Sequence, residues 1–154
     1  MWEDKLIVTI WGKPAPMGRH RCSKAGYAYM APNTRRELAR ITTACVLAKK
    51  EQRHETIEKH HSVMVQCLFL SPLPKAAKHT EKRTFKRTKP DLDNLNKMIL
   101  DACTKAQIWR DDSQVVSLTS EKYYCSSLEE AKTIVRISIY TGVKTVSSLW
   151  DTHP

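Results

Sequence analysis

Two short stretches hold the groups best suited to chemistry. The first is Lys89-Pro90-Asp91-Leu92-Asp93-Asn94-Leu95-Asn96-Lys97, and the second is Trp109-Arg110-Asp111-Asp112. They set four carboxylates and a lysine within 22 residues, directly after the most basic segment of a basic chain. Carboxylates beside a phosphate backbone cost free energy unless a cation lies between them. Singly, each has an ordinary explanation. Asp91 and Asp93 suit a helix start, Asp93 and Lys97 suit a surface pair at i, i+4, and Asp111-Asp112 before Ser113 suits a turn. Jointly, a helix start and a strand start side by side at one end of a sheet would gather Asp91, Asp93, Asp111 and Asp112 around divalent ions. Magnesium prefers hard oxygen ligands, and two ions about 3.5–4 Å apart are a standard device for phosphoryl displacement.

Other chemistries are poorly served. Asp91-x-Asp93 opens like a calcium loop, but its sixth position is Asn96 and its twelfth is Ala102, where glycine and glutamate belong. There is no Gly-x-Ser-x-Gly, no Walker-type loop and no His-Glu-x-x-His among His20, His54, His60, His61, His79 and His153. The five cysteines are odd in number, scattered and free of Cys-x-x-Cys, which points to free thiols in a reducing compartment.

The net charge of +10, from 26 Lys and Arg, implies attraction to a polyanion, nucleic acid by default. The charges cluster. Lys75, Lys78, Lys82, Arg83, Lys86, Arg87 and Lys89 face only Glu81 in their segment, with Ala76, Ala77 and Phe85 as its apolar content. Such a segment cannot bury itself, so it is expected to be a DNA-facing arm, mobile without a partner. Arg19, Arg21 and Lys24 follow a Gly/Pro-rich break at 12–18, in a polar loop suited to phosphate contact or simply to solvent.

The elements that must position these groups are a mixture of helix and strand. Leu6–Trp11 and Ser62–Leu70 predict buried strands. A short strand is expected near Gly26–Met30. A helix is expected from a cap at Asn33 or Thr34, boxed by Glu37, to about Glu58, with Leu38, Ile41, Cys45 and Ala48 as its stripe. A second helix runs from Asp91 to about Lys105 on Leu92, Leu95, Met98 or Ile99, and Ala102. Strands at Val115–Tyr124 and Thr133–Tyr140 lie close enough to pair as an antiparallel hairpin. This predicts one domain over residues 1–141 and a tail over 142–154, in which Leu149-Trp150 could dock. No run reaches the roughly 18 apolar residues of a membrane span, and the N-terminus does not read as a signal peptide.

The chain resembles the RusA family of Holliday junction resolvases. The resemblance is carried by Lys89-Pro90-Asp91-Leu92-Asp93-Asn94-Leu95-x-Lys97, Leu100-Asp101-Ala102 and Trp109-x-Asp111-Asp112-Ser113-Gln114-Val115-Val116, with Ile10-x-Gly12-x-Pro14 and Gly18-Arg19-x-Arg21 earlier. It implies a homodimeric endonuclease, of the kind often encoded by phages, that places paired nicks in four-way DNA junctions. It further implies a small α/β (α+β) fold with a mixed sheet flanked by helices, a cytoplasmic location, and magnesium as cofactor, with manganese able to substitute. By position, Asp91, Asp93 and Asp112 become metal-binding catalytic carboxylates, Asp111 a fourth acidic neighbour and Lys97 an assisting lysine. Two alternatives stand beside it: a broader structure-dependent nuclease acting on flaps or forks, and a non-catalytic DNA-binding protein on the same scaffold.

Overall fold

The computed structural model describes residues 1–142. The expected docking of Leu149-Trp150 lies outside the described residues. Strand β1 (Trp2–Trp11) buries Leu6, Val8 and Ile10 and turns Ile7, Thr9 and Trp11 outward, the period-2 alternation of a half-buried strand. Two short strands, β2 (Arg21–Cys22) and β3 (Ala28–Tyr29), pair as a hairpin.

Helix α1 (Pro32–Glu51) buries Leu38, Ile41, Cys45 and Ala48, as the spacing predicts, along with Thr34. Both of its ends differ from expectation. Pro32 opens the helix at N1, where its missing N–H costs nothing, so Thr34 lies inside and Glu37 pairs with Arg40 instead of closing a box. The helix stops at Glu51 because Arg53 turns left-handed, with φ of 52°.

Strands β4 (Val63–Ser71), β5 (Thr84–Phe85), β6 (Val115–Tyr124) and β7 (Lys132–Tyr140) join β1 in a five-stranded mixed sheet of order β1-β7-β4-β6-β5. The expected β6–β7 hairpin does not form. Strand β4 lies between them, parallel to β6 and antiparallel to β7. The physical reason is burial: β4 ends Phe69-Leu70-Ser71 buried in succession, and a run apolar on both faces needs the sheet centre. Alternate residues of β1, β4 and β7 share one core with the apolar stripe of α1 and that of helix α2 (Leu92–Lys105), whose buried side chains are Leu95, Met98, Ile99, Ala102 and Cys103.

A parallel pair requires a crossover, and α2 supplies it, running back against β6. Its start lies beside the second half of β6, where Ser120 Oγ donates to Asn96 Oδ1 at 2.6 Å. Its end lies near the approach to β6, where Trp109 Nε1 donates to Thr104 Oγ1 at 2.9 Å. This direction fixes where the two acidic stretches end up.

Candidate active site

Asp91 holds the cap position of α2 with extended backbone, yet its side chain makes no capping hydrogen bond. Asp91 and Asp93 are exposed, and neither joins an ion pair among the described residues. Lys97 is exposed as well and makes no ion pair with Asp93, so the ordinary i, i+4 bridge is not formed. The first turn of α2 thus presents two carboxylates and an ammonium uncommitted to the fold. Its backbone is held from two sides. Lys122 Nζ donates to the carbonyls of Thr88 and Pro90, each at 2.8 Å, and the Lys89–Pro90 peptide is cis. The Met17 N–H donates to the Asn94 carbonyl at 2.9 Å, which seats the loop ahead of Arg19 on this turn. Gly18 permits that approach, since a Cβ there would lie 2.5 Å from Thr34 Oγ1.

Asp111 and Asp112 begin a single 3₁₀ turn, Asp112–Gln114, that leads into β6. Asp111 Oδ1 accepts the Ser113 N–H at 2.8 Å, and its hydrogen bonds from Ser113 hold this carboxyl below the usual range. The buried Gln114 closes the capping box. Its Oε1 accepts the Arg110 and Asp111 N–H groups at 2.9 and 3.0 Å, and its Nε2 donates to the Glu58 carbonyl at 2.8 Å. Arg110 pairs with the Glu58 carboxylate at 2.9 Å. Asp111 therefore carries turn chemistry, and Asp112 is left exposed beside it. Gln114 closes a local Asp-x-x-Gln capping box and reaches far only to the Glu58 carbonyl, whereas no local pattern marks Lys122, whose partners lie 32 and 34 residues away.

The two acidic stretches do not converge within one protomer. Asp91 and Asp93 lie at the Ser120–Lys122 end of β6, whereas Asp112 precedes its first residue. Five residues of strand between Val115 and Ser120, at about 3.3 Å each, together with the turns beyond, separate them by about 20 Å. Among the described residues no three His, Cys, Asp or Glu side chains gather closely enough to hold a metal ion.

The family model described as Endodeoxyribonuclease RusA matches residues 12–138, most of the chain. The chain belongs to the RusA endodeoxyribonuclease family. It is also 32% identical over 130 residues to the uncharacterized protein YqaN of Bacillus subtilis (strain 168), covering 79% of this chain and 89% of that protein. RusA nucleases act on branched DNA and depend on a divalent metal, which gives the uncommitted carboxylates and the basic surroundings a common context.

The RusA match spans all the basic groups singled out above, but the fold does not treat them alike. Arg19, Arg21 and Lys24 are exposed on and beside the β2–β3 hairpin. Lys75, Lys78, Lys82, Arg87 and Lys89 are exposed along the 75–89 segment. Arg83 is instead tied to Glu129 through a two-oxygen ion pair, which draws the Glu129 carboxyl down to about 2. Lys86 is buried, at 9% exposure. The segment is also not free. Thr80 and Ser127 exchange hydrogen bonds at 2.7 and 2.8 Å, and β5 pairs with the end of β6. Partners around residues 123–129, distant in sequence, replace the apolar content the arm lacks.

Proposed function

We propose that this chain is a divalent-metal-dependent junction-resolving endonuclease that works as a homodimer, each cutting centre drawing on both copies. The observation that carries this reading is the placement of the free carboxylates at opposite ends of the α2–β6 unit. One end offers Asp91, Asp93 and Lys97, and the other offers Asp112 with Asp111 as its neighbour. An antiparallel two-fold pairing exchanges the two ends and produces two equivalent centres. Two centres match a substrate in which two strands must be cut.

The outer edge of β6 supports such a pairing. Strand β5 covers only Tyr123 and Tyr124, and the Lys86 N–H reaches the Lys122 carbonyl at 3.1 Å. Among the described residues nothing pairs with the edge from Val116 to Glu121. Val116 and Leu118 on this stretch are 61% and 41% exposed. An unpaired strand edge with apolar side chains is a template for another strand. Joining two such edges antiparallel about Leu118 brings the Asp112 turn of one copy to the Lys122–Asp91 end of the other.

The donor set fits magnesium or manganese: the carboxylates are hard oxygen ligands, exposed, and Asp91 and Asp93 are in no ion pair among the described residues. Such an ion, when bound, supplies an activated water and charge stabilisation. Within this centre Asp91, Asp93 and Asp112 provide ligands, and Lys97 offsets their charge and that of the phosphate. Water adds to phosphorus, the P–O3′ bond breaks and the 3′ oxygen takes a proton, leaving 5′-phosphate and 3′-hydroxyl ends. The exposed cations Arg19, Arg21, Lys24, Lys75, Lys78, Lys82, Arg87 and Lys89 hold the arms of the DNA. A cytoplasmic site of action follows from the substrate.

A cleavage panel tests the reading. Four-way junction, flap, fork and linear duplex are offered at equal concentration in magnesium. Paired nicks in the junction at a rate at least about tenfold above the other substrates are expected, a difference of about 1.4 kcal/mol in barrier. Equal cutting of flaps and forks would replace it with a broader nuclease, and binding without any cutting would leave a DNA-binding protein.

A further inference from the structure

Lys86 and Lys122 are two cations that the fold draws together around Thr88, with no acid paired to either among the described residues. Lys86 is nine-tenths buried, and its Nζ lies 2.7 Å from Thr88 Oγ1 and 4.9 Å above the ring of Tyr124. Tyr124 Oη shares a hydrogen bond with the same Thr88 hydroxyl at 3.0 Å. Lys122 Nζ reaches the Thr88 carbonyl as well as that of Pro90. Neither lysine forms an ion pair among the described residues. The Tyr124 phenol is drawn below its usual range, by its Thr88 hydrogen bond first and also by Lys86 and Lys122.

Burying a cation without a counter-charge is expensive, and two like charges around one residue add to that cost. An ammonium has three N–H donors. Lys122 spends two on carbonyls, and Lys86 spends one on Thr88 and turns its charge to a ring. Each therefore retains capacity toward an incoming acceptor. The hub at Thr88 is three residues ahead of Asp91, and Lys122 ties it to the Pro90 carbonyl that immediately precedes that carboxylate.

We infer that Lys86, Thr88, Tyr124 and Lys122 form a seat for one DNA phosphodiester immediately beside Asp91. This rests on the nuclease reading above and deepens it, since it names the contact that fixes the backbone next to the carboxylates. Lys122 then acts twice, holding the Asp91 turn and facing the phosphate. The seat also differs from the exposed cations of the 75–89 segment, which ride on the duplex arms.

The test is the salt dependence of binding, measured in EDTA so that nothing is cut, on a labelled four-way junction and on a linear duplex of the same length. Replacing Lys86 and Lys122 together by methionine keeps their stems and removes their charge. The slope of log K against log salt is expected to shrink by about 0.9, the value for one lost phosphate contact, and the arginine pair should restore it. An unchanged slope in a folded Lys86→Met/Lys122→Met protein overturns the seat, because a structural prop would leave counterion release intact. Should the double variant not fold, Lys86→Met is read by the same criterion. Failure of the nuclease reading looks different: wild-type protein would then bind the junction but cut it in neither strand when magnesium is added, whatever the slopes do.

Discussion

Asp91→Asn is expected to abolish junction cleavage, by about 1,000-fold or more in single-turnover rate, while junction binding is retained or tightened. The substitution keeps size and shape but removes the charge of a metal ligand. Losing several kcal/mol of charge stabilisation at 1.36 kcal/mol per decade gives a change of that order. Stability should hardly move. Asp91 is exposed and its side chain makes no capping bond, so the usual penalty of about 1 kcal/mol for losing an N-cap does not apply. Binding should not weaken, because a negative charge beside phosphate has gone. The measurement is paired: cleavage of a saturated junction in magnesium, and affinity for the same junction in EDTA. Full activity of the variant would remove Asp91 from the metal assignment.

Lys97→Ala is expected to cost roughly 100-fold in cleavage rate, by analogy with the loss of one preorganised donor to a developing charge. The competing account is an exposed helix pair with Asp93, worth under about 1 kcal/mol of stability and nothing in rate. The structure already weakens that account, since no such pair is formed. Lys97 instead stands exposed one turn beyond Asp93, in no ion pair among the described residues. Single-turnover cleavage at saturating protein separates rate from affinity, and thermal melting should show little change. A near wild-type rate would return Lys97 to the solvent-facing surface.

The stripe of α1 and most of that of α2 were legible because each is a local period matched to one buried face, with Leu92 only half-buried, whereas the run expected to bury all of Leu6–Trp11 leaves Ile7 and Trp11 exposed. Strand pairing was not legible in that way. Proximity of β6 and β7 suggests a hairpin, but Val116, Leu118, Thr119 and Glu121 are exposed, which marks β6 as peripheral, while β4 needs neighbours on both sides. The carboxylates were legible as residue types, and the distance between the two acidic stretches was misread. A helix from Asp91 to Lys105 already carries the chain about 20 Å at 1.5 Å per residue, so the two acidic stretches were bound to part. The roles of Gln114 and Lys122 depend on Glu58, Thr88 and Pro90, partners that only the fold supplies. The expected mobility of the 75–89 segment misled for a similar reason, as its contacts come from Ser127, Glu129 and the edge of β6.

Mixing two inactive variants tests the shared centre most directly. Asp91→Asn and Asp112→Asn proteins are each expected to be inert alone. After unfolding and refolding together in equal amounts, half of the dimers carry one of each. In a shared arrangement every such mixed dimer holds one centre with both mutations and one with none, so about a quarter of the wild-type centres return. The product should be junction nicked on one strand, at close to that fraction of the wild-type rate. If each centre belonged to a single protomer, every centre in the mixture would carry a mutation, and refolded mixtures as inactive as the separate proteins would contradict the account.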